Sequence, residues 1–170
     1  MPAKDLIIDP NVLDVNNVVA DIHEIRRINM QRHEMEQLTA IIHLDRDRNL
    51  AVGYREVTDQ EFWCRGHMPR YPLMPGVIMC EVAAQVASFI AIKFDLLGAK
   101  VLGFGGLDDV AFRGQVVPGD KLVMAVEMIR VRRGAMVVGR FQGFVRGSLV
   151  VEGKIKGIPL PIEDPYFEPS

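Results

Sequence analysis

Val77-Ile78-Met79-Cys80-Glu81-Val82-Ala83-Ala84-Gln85-Val86-Ala87-Ser88-Phe89-Ile90-Ala91-Ile92 decides the architecture, because it is apolar on every side of a helix except along one line. Glu81, Gln85 and Ser88 stand at i, i+4 and i+7 and so share one narrow helical stripe. The run continues to Leu97 and is followed by Gly98, a residue suited to the left-handed C′ position. A helix of ~30 Å over 77–97 is expected at ~1.5 Å per residue. Such a helix must be wrapped by protein on most of its sides.

The wrapping has to come from the flanks. Downstream, 101–112, 122–131, 136–145 and 149–158 read as strands, divided by turns at Pro118-Gly119-Asp120 and Arg133-Gly134. In the last of them Leu149, Val151 and Ile155 alternate with Glu152, Lys154 and Lys156, so one sheet face is dry and the other wet. Four strands in succession imply an antiparallel meander. Upstream, 38–44 and 50–57 suit a hairpin around the polar run Asp45-Arg46-Asp47-Arg48-Asn49. The expected class is α+β: a curled antiparallel sheet around one long central helix. Residues 1–158 are expected to form a single domain, with 1–37 a variable segment carrying a helix near 17–27. Residues 159–170, with four prolines, read as an irregular tail.

Composition bounds the function. The chain has 170 residues, is 49% hydrophobic and carries a net charge of −2, which suits a soluble cytoplasmic protein and argues against a nucleic-acid binder. No signal pattern opens it, and Gln85 and Ser88 interrupt its longest apolar stretch, so no membrane insertion is expected. Cys64 and Cys80 lack the spacing of a zinc site or a disulfide framework and read as buried small hydrophobes. His23, His33 and His43 are widely spaced with no cysteine or carboxylate cluster, so no metal is expected. Gly103-Phe104-Gly105-Gly106 opens no helix and is not a dinucleotide loop. The halves of the chain differ in sign: residues 1–60 carry seven Lys/Arg against eleven Asp/Glu, and residues 110–157 nine against three. Arg130, Arg132 and Arg133 in the basic half suit docking of an acidic partner, and equally suit the solvated face of ordinary strands.

The chemistry is expected where the helix begins. In Gly66-His67-Met68-Pro69-Arg70-Tyr71-Pro72-Leu73-Met74-Pro75-Gly76, three prolines stiffen a segment that delivers His67 beside the helix, with Glu81 about one turn inside it. A carboxyl group in an apolar helix is costly when charged, and burial raises its pKa by more than the helix N-terminus lowers it. Glu81 thus suits a proton donor. A histidine, ordinarily titrating near ~6.5, suits an acceptor. Gly76 presents main-chain N–H groups at the positive end of the helix, where an oxygen gaining negative charge is stabilised. Gln85 reads as an orienting partner of Glu81.

His67-Met68-Pro69, Pro72, Met74-Pro75-Gly76-Val77, Glu81 and Gln85 together resemble the (3R)-hydroxyacyl-acyl carrier protein dehydratases, and so do Gly106–Arg113, Val117–Asp120 and Arg132-Arg133-Gly134. The similarity runs over about residues 38–158. It implies a hot-dog fold, no cofactor, and conversion of a 3-hydroxyacyl thioester to a trans-2-enoyl thioester, the substrate borne by phosphopantetheine on an acyl carrier protein. His67 and Glu81 are catalytic by that resemblance, and Gly76, Val77, Gln85, Met68 and Met74 bind substrate. It further implies a homodimer or trimer of dimers in which His67 of one subunit works with Glu81 of the other. Met68 stands where the family usually has Phe, and Gly114-Gln115 departs from its usual pair. Three alternatives stay open: an added isomerase activity, whose relatives usually carry Asp at the Glu81 position; a thioesterase; and a non-catalytic acyl-binding module, which would not need His67.

Overall fold

The structure is a computed structural model, and it describes residues 5–163. Six antiparallel strands, β1 (Ala40–Asp45), β2 (Leu50–Glu56), β3 (Leu102–Phe112), β4 (Lys121–Arg132), β5 (Met136–Val145) and β6 (Ser148–Pro159), join α1 (Ile22–Ile28) and α2 (Gly76–Lys93). The strands form one sheet in the order β1-β2-β4-β5-β6-β3. Its concave face holds α2, which packs against every strand from β2 to β6. Phe89, Ile90, Val82 and Val86 of α2 are wholly buried among Met124, Val126, Phe141, Val151 and Ile155 of the sheet. By length and composition α2 would pass for a membrane span, yet most of it is enclosed by protein.

The hairpin appears where expected, but the four-strand meander does not. Only β4, β5 and β6 run as neighbours; β3 skips past them and pairs with β6, Leu107 opposite Ile155 and Phe112 opposite Val151. Local hairpin closure favours β3 beside β4, but a sheet curled round α2 already has β2 in that place, in register from Leu50–Glu127 to Glu56–Lys121. The segment after β3 therefore crosses back and enters β4 through the Val117–Asp120 turn. There the Asp120 N–H donates to Val117 O at 3.1 Å, and Gly119 takes φ +97°, which only glycine adopts freely after Pro118 at the preceding corner.

α2 also ends earlier than the pattern implied. Asp95, not Gly98, takes the left-handed C′ position at φ 52°, with the Leu96 N–H donating to Ala91 O at 2.8 Å and the Asp95 N–H to Ile92 O at 3.1 Å. This pair of bonds stops the helix at Lys93 and folds Leu96 and Leu97 back onto the core. α1 begins at Ile22 rather than near Asn17, because the Asp21 carboxylate accepts the Glu24 N–H at 2.9 Å and fixes the first turn.

The N-terminal segment lacks a helical or strand period because it packs on two surfaces in turn. Ile7, Ile8, Leu13 and Val15 cover the convex face of the sheet over Ile42, Val52 and Ala125. After a bridge from Ala20 to Ile41, the chain continues through α1 and a 3₁₀ turn at His33–Met35 along α2. Of the expected tail, residues 164–170 lie outside the described residues.

Candidate active site

Trp63, 4% exposed, anchors the approach to the proline-rich segment, and its carbonyl accepts the His67 N–H at 2.8 Å. The chain then loops through Pro69 and Pro72 and returns: the Leu73 N–H donates to His67 O at 2.8 Å, and the Met74 N–H to Val116 O at 2.9 Å. The half-buried His67 ring is thereby held with Nδ1 2.6 Å from Leu73 O. A carbonyl oxygen only accepts, so Nδ1 carries a hydrogen, and in the uncharged form of the ring the lone pair is on Nε2.

Glu81 lies on the second turn of α2 and is half-buried. Burial pushes its carboxyl above the ordinary glutamate range, and the Gln85 amide, donating to Glu81 Oε1 at 2.8 Å, partly offsets that rise. Gln85, 2% exposed, makes the contact with Glu81 that an orienting partner requires. Among the described residues, no hydrogen bond or ion pair joins His67 to Glu81; the imidazole is paired with Leu73 O and the carboxyl with Gln85.

The remaining residues divide. Pro75 caps α2 without a side-chain bond, so Gly76 and Val77 occupy the first turn, where no preceding helical carbonyl can accept their N–H groups. Val77 is 72% exposed and Met68 51% exposed, both beside His67 or the helix start and open to solvent. Met74, in contrast, is packed in the main core rather than facing the cleft. Cys80 is buried, whereas Cys64 is only half-buried, because it sits in the surface turn after Val57 with its thiol toward Thr58 O. Among the described residues, no group of three or more His, Cys, Asp or Glu is placed to hold a metal ion.

Phe112, at the end of β3, falls in a block that resembles the family, but its contact with Gly76 was not readable from the sequence. Its ring lies over Gly76 so closely that a Cβ there would sit 2.7 Å from two ring carbons. Glycine is required at 76 to seat that ring as well as to leave the amide open. Gly76→Ala should cost about 1–3 kcal/mol by overpacking, measured by chemical denaturation, and Gly76→Ala with Phe112→Ala should recover most of it. Equal losses in the single and double variants would refute the contact.

A FabA-like domain model matches residues 29–154. The 3-hydroxyacyl-[acyl-carrier-protein] dehydratase FabZ of Clostridium botulinum is 35% identical over 135 residues, 79% of this chain and 92% of that protein. The FabZ of Streptococcus pyogenes is likewise 35% identical over 135 residues, 79% of this chain and 95% of its own. In fold the chain is a hot-dog protein: it superposes on the dehydratase heterocomplex ApeI:P of Xenorhabdus doucetiae with a TM-score of 0.64 at 14% identity, covering 82% of this chain and 91% of that one. With the domain model spanning most of the chain and the identity extending over nearly the whole of both relatives, this chain belongs to the FabA-like family of hot-dog proteins.

Proposed function

We propose that the chain is a cytoplasmic, cofactor-free hydro-lyase that converts (3R)-hydroxyacyl-acyl carrier protein to trans-2-enoyl-acyl carrier protein and water in fatty-acid or related lipid synthesis. The observation that carries the reading is the 2.6 Å contact from His67 Nδ1 to Leu73 O, which leaves Nε2 as a base. His67 Nε2 takes a proton from C2, the C2–H electron pair becomes the C2=C3 bond, and the C3–O bond breaks as Glu81 gives its carboxyl proton to the departing hydroxyl. The protonated imidazole and the glutamate are reset by passing one proton back through water. The Gly76 and Val77 N–H groups receive the thioester oxygen as charge develops on it, while Met68 borders the acyl chain. Gln85, 2% exposed with its amide bonded to Gln37, Met35 and Glu81, acts through Glu81 and does not line the chain as the resemblance implied. The names of the relatives supply the substrate.

A homodimer completes the site. β3 is an edge strand of 11 residues whose Phe104, Leu107 and Phe112 are exposed, a length of unpaired apolar edge that proteins seldom leave open. Asp108 and Asp109 are paired with Lys156 and Lys154 of β6, leaving the apolar side chains for a second copy. His67 of one subunit then works with Glu81 of the other.

Arg133 changes role among the docking residues: its guanidinium donates to Asp95 O and, at 2.8 Å, to Asp95 Oδ2, binding the β4–β5 turn to the end of α2. Arg130 and Arg132 are exposed and unpaired among the described residues, and they are the cations offered to the acidic carrier. Arg130→Glu with Arg132→Glu should weaken carrier binding roughly tenfold at low salt and hardly at all near 1 M, where the screening length is ~3 Å. Titration calorimetry at both salt concentrations checks this; a loss independent of salt would count against docking there.

The function itself is tested by following conjugated enoyl thioester formation from 3-hydroxyacyl-acyl carrier proteins of several chain lengths. Product with at least one length is expected. None with any length would leave the non-catalytic acyl-binding reading in its place.

A further inference from the structure

The two ends of a glutamine amide have nearly the same shape, so packing alone does not decide which end faces a neighbour. For Gln85 the N-terminal segment decides it. The main-chain N–H of Gln37 donates to Gln85 Oε1 at 2.9 Å, and Gln85 Nε2 donates to Met35 O at 2.6 Å. Main-chain groups cannot exchange donor for acceptor. A flipped amide would set N–H against N–H and oxygen against oxygen in a place where Gln85 is 2% exposed. The second N–H of Nε2 is left for Glu81 Oε1, at 2.8 Å.

The segment that supplies these two groups is itself fastened. Asn29, 3% exposed, donates through Nδ2 to Gln85 O at 2.9 Å. The Arg32 guanidinium gathers the carbonyls of Asn29, Gln31 and Arg26 at 2.9, 2.8 and 2.9 Å. Glu36, in the same segment, is paired with Arg26 at 2.7 Å. The two influences on the Glu81 carboxyl are its burial and the Gln85 amide.

We propose that residues 29–37 form an orienting clamp: the Met35 carbonyl and Gln37 N–H fix the Gln85 amide so that it donates to Glu81 Oε1, which leaves Oε2 to carry the acidic proton. Gln37, Arg32 and Asn29 are positioning residues that never touch the reacting atoms. The inference rests on Glu81 being the general acid, as read above.

Gln37→Pro removes one of the two main-chain groups that set the amide, the N–H on Gln85 Oε1, and Glu36 before it already has the extended backbone a proline requires, at φ −72° and ψ 107°. Gln37→Ala keeps that N–H. The proline variant should lose kcat by roughly 10- to 100-fold with KM little changed. The alkaline limb of its kcat profile should move to higher pH, since a loosened Gln85 amide gives Glu81 less of the N–H that favours its anion. The alanine variant should keep the wild-type limb. Infrared difference spectra against Glu81→Gln give a readout that needs no turnover: the protonated Glu81 C=O band should shift to higher wavenumber in Gln37→Pro.

A folded proline variant, judged by circular dichroism and melting, that keeps the limb and the band overturns the clamp. If it does not fold, Arg32→Ala, which frees the same segment, takes its place, and an unshifted band there overturns the proposal equally. A wild-type protein without turnover on any substrate would sink the dehydratase reading, while the infrared shift would still decide the clamp.

Discussion

His67→Ala and Glu81→Gln are each expected to lower the rate of enoyl thioester formation by about 10²- to 10⁴-fold, the range that a positioned acid or base contributes. Both side chains are only half-buried and lie outside the core, His67 in the turn before α2 and Glu81 on its second turn, so either replacement leaves Phe89, Val86 and Phe141 in place and the melting temperature close to wild type. Glu81→Gln is the sharper of the two. It keeps the volume and a hydrogen-bonding end for Gln85 but has no proton to give the leaving hydroxyl. Burial holds the Glu81 carboxyl above its usual range, so its acid form persists to higher pH than an exposed glutamic acid. The sign follows: a general acid works below its pKa, so wild-type kcat should fall as pH rises through the raised Glu81 value, and the residual rate of Glu81→Gln should lack that limb. Stopped or continuous assays across pH check both points. Wild-type rates in either variant would remove the residue from the chemistry.

The arrangement around these residues was legible to very different degrees. The helical stripe of Glu81, Gln85 and Ser88 in an otherwise apolar run made a wrapped helix unavoidable, and the alternation in β6 showed which face the wrapping sheet turned inward. Strand order was not legible, because β3 and β4 are adjacent in the chain and their separation is imposed by α2 filling a curled sheet, a long-range packing effect. The helix end was misplaced for a related reason: Gly98 is indeed left-handed, at φ 72°, but Asp95 reaches that region first, and its carboxylate and carbonyl are both engaged by Arg133 from the β4–β5 turn. Of the proposed site, His67, Glu81 and Gln85 were readable by type and spacing. The contributions of Met35 and Gln37 did not, because they are made by main-chain groups that every residue carries. Phe112 stayed hidden too, since its role depends on β3 ending above Gly76.

Mixing inactive His67→Ala with inactive Glu81→Gln protein should restore activity, and the amount is fixed by symmetry. In a two-fold dimer whose sites each take His67 from one subunit and Glu81 from the other, the mixed dimer holds one site with both substitutions and one with neither. Random exchange of equal amounts makes about half of all dimers mixed, and each has one working site of two, so about a quarter of wild-type activity should return. The chain's own geometry motivates the test: the His67 imidazole is recorded with Leu73 and the Glu81 carboxyl with Gln85, with no bond between them, while the apolar edge of β3 lies open beside the end that covers Gly76. Exchange can be driven by mild denaturation and refolding of the mixture, with each variant refolded alone as the control. Activity that stays at the level of the separate variants, in a sample shown by native mass spectrometry to contain mixed dimers, would mean that both groups act from one chain. The cleft would then have to be closed by movement of the His67–Gly76 segment over α2 rather than by a second copy.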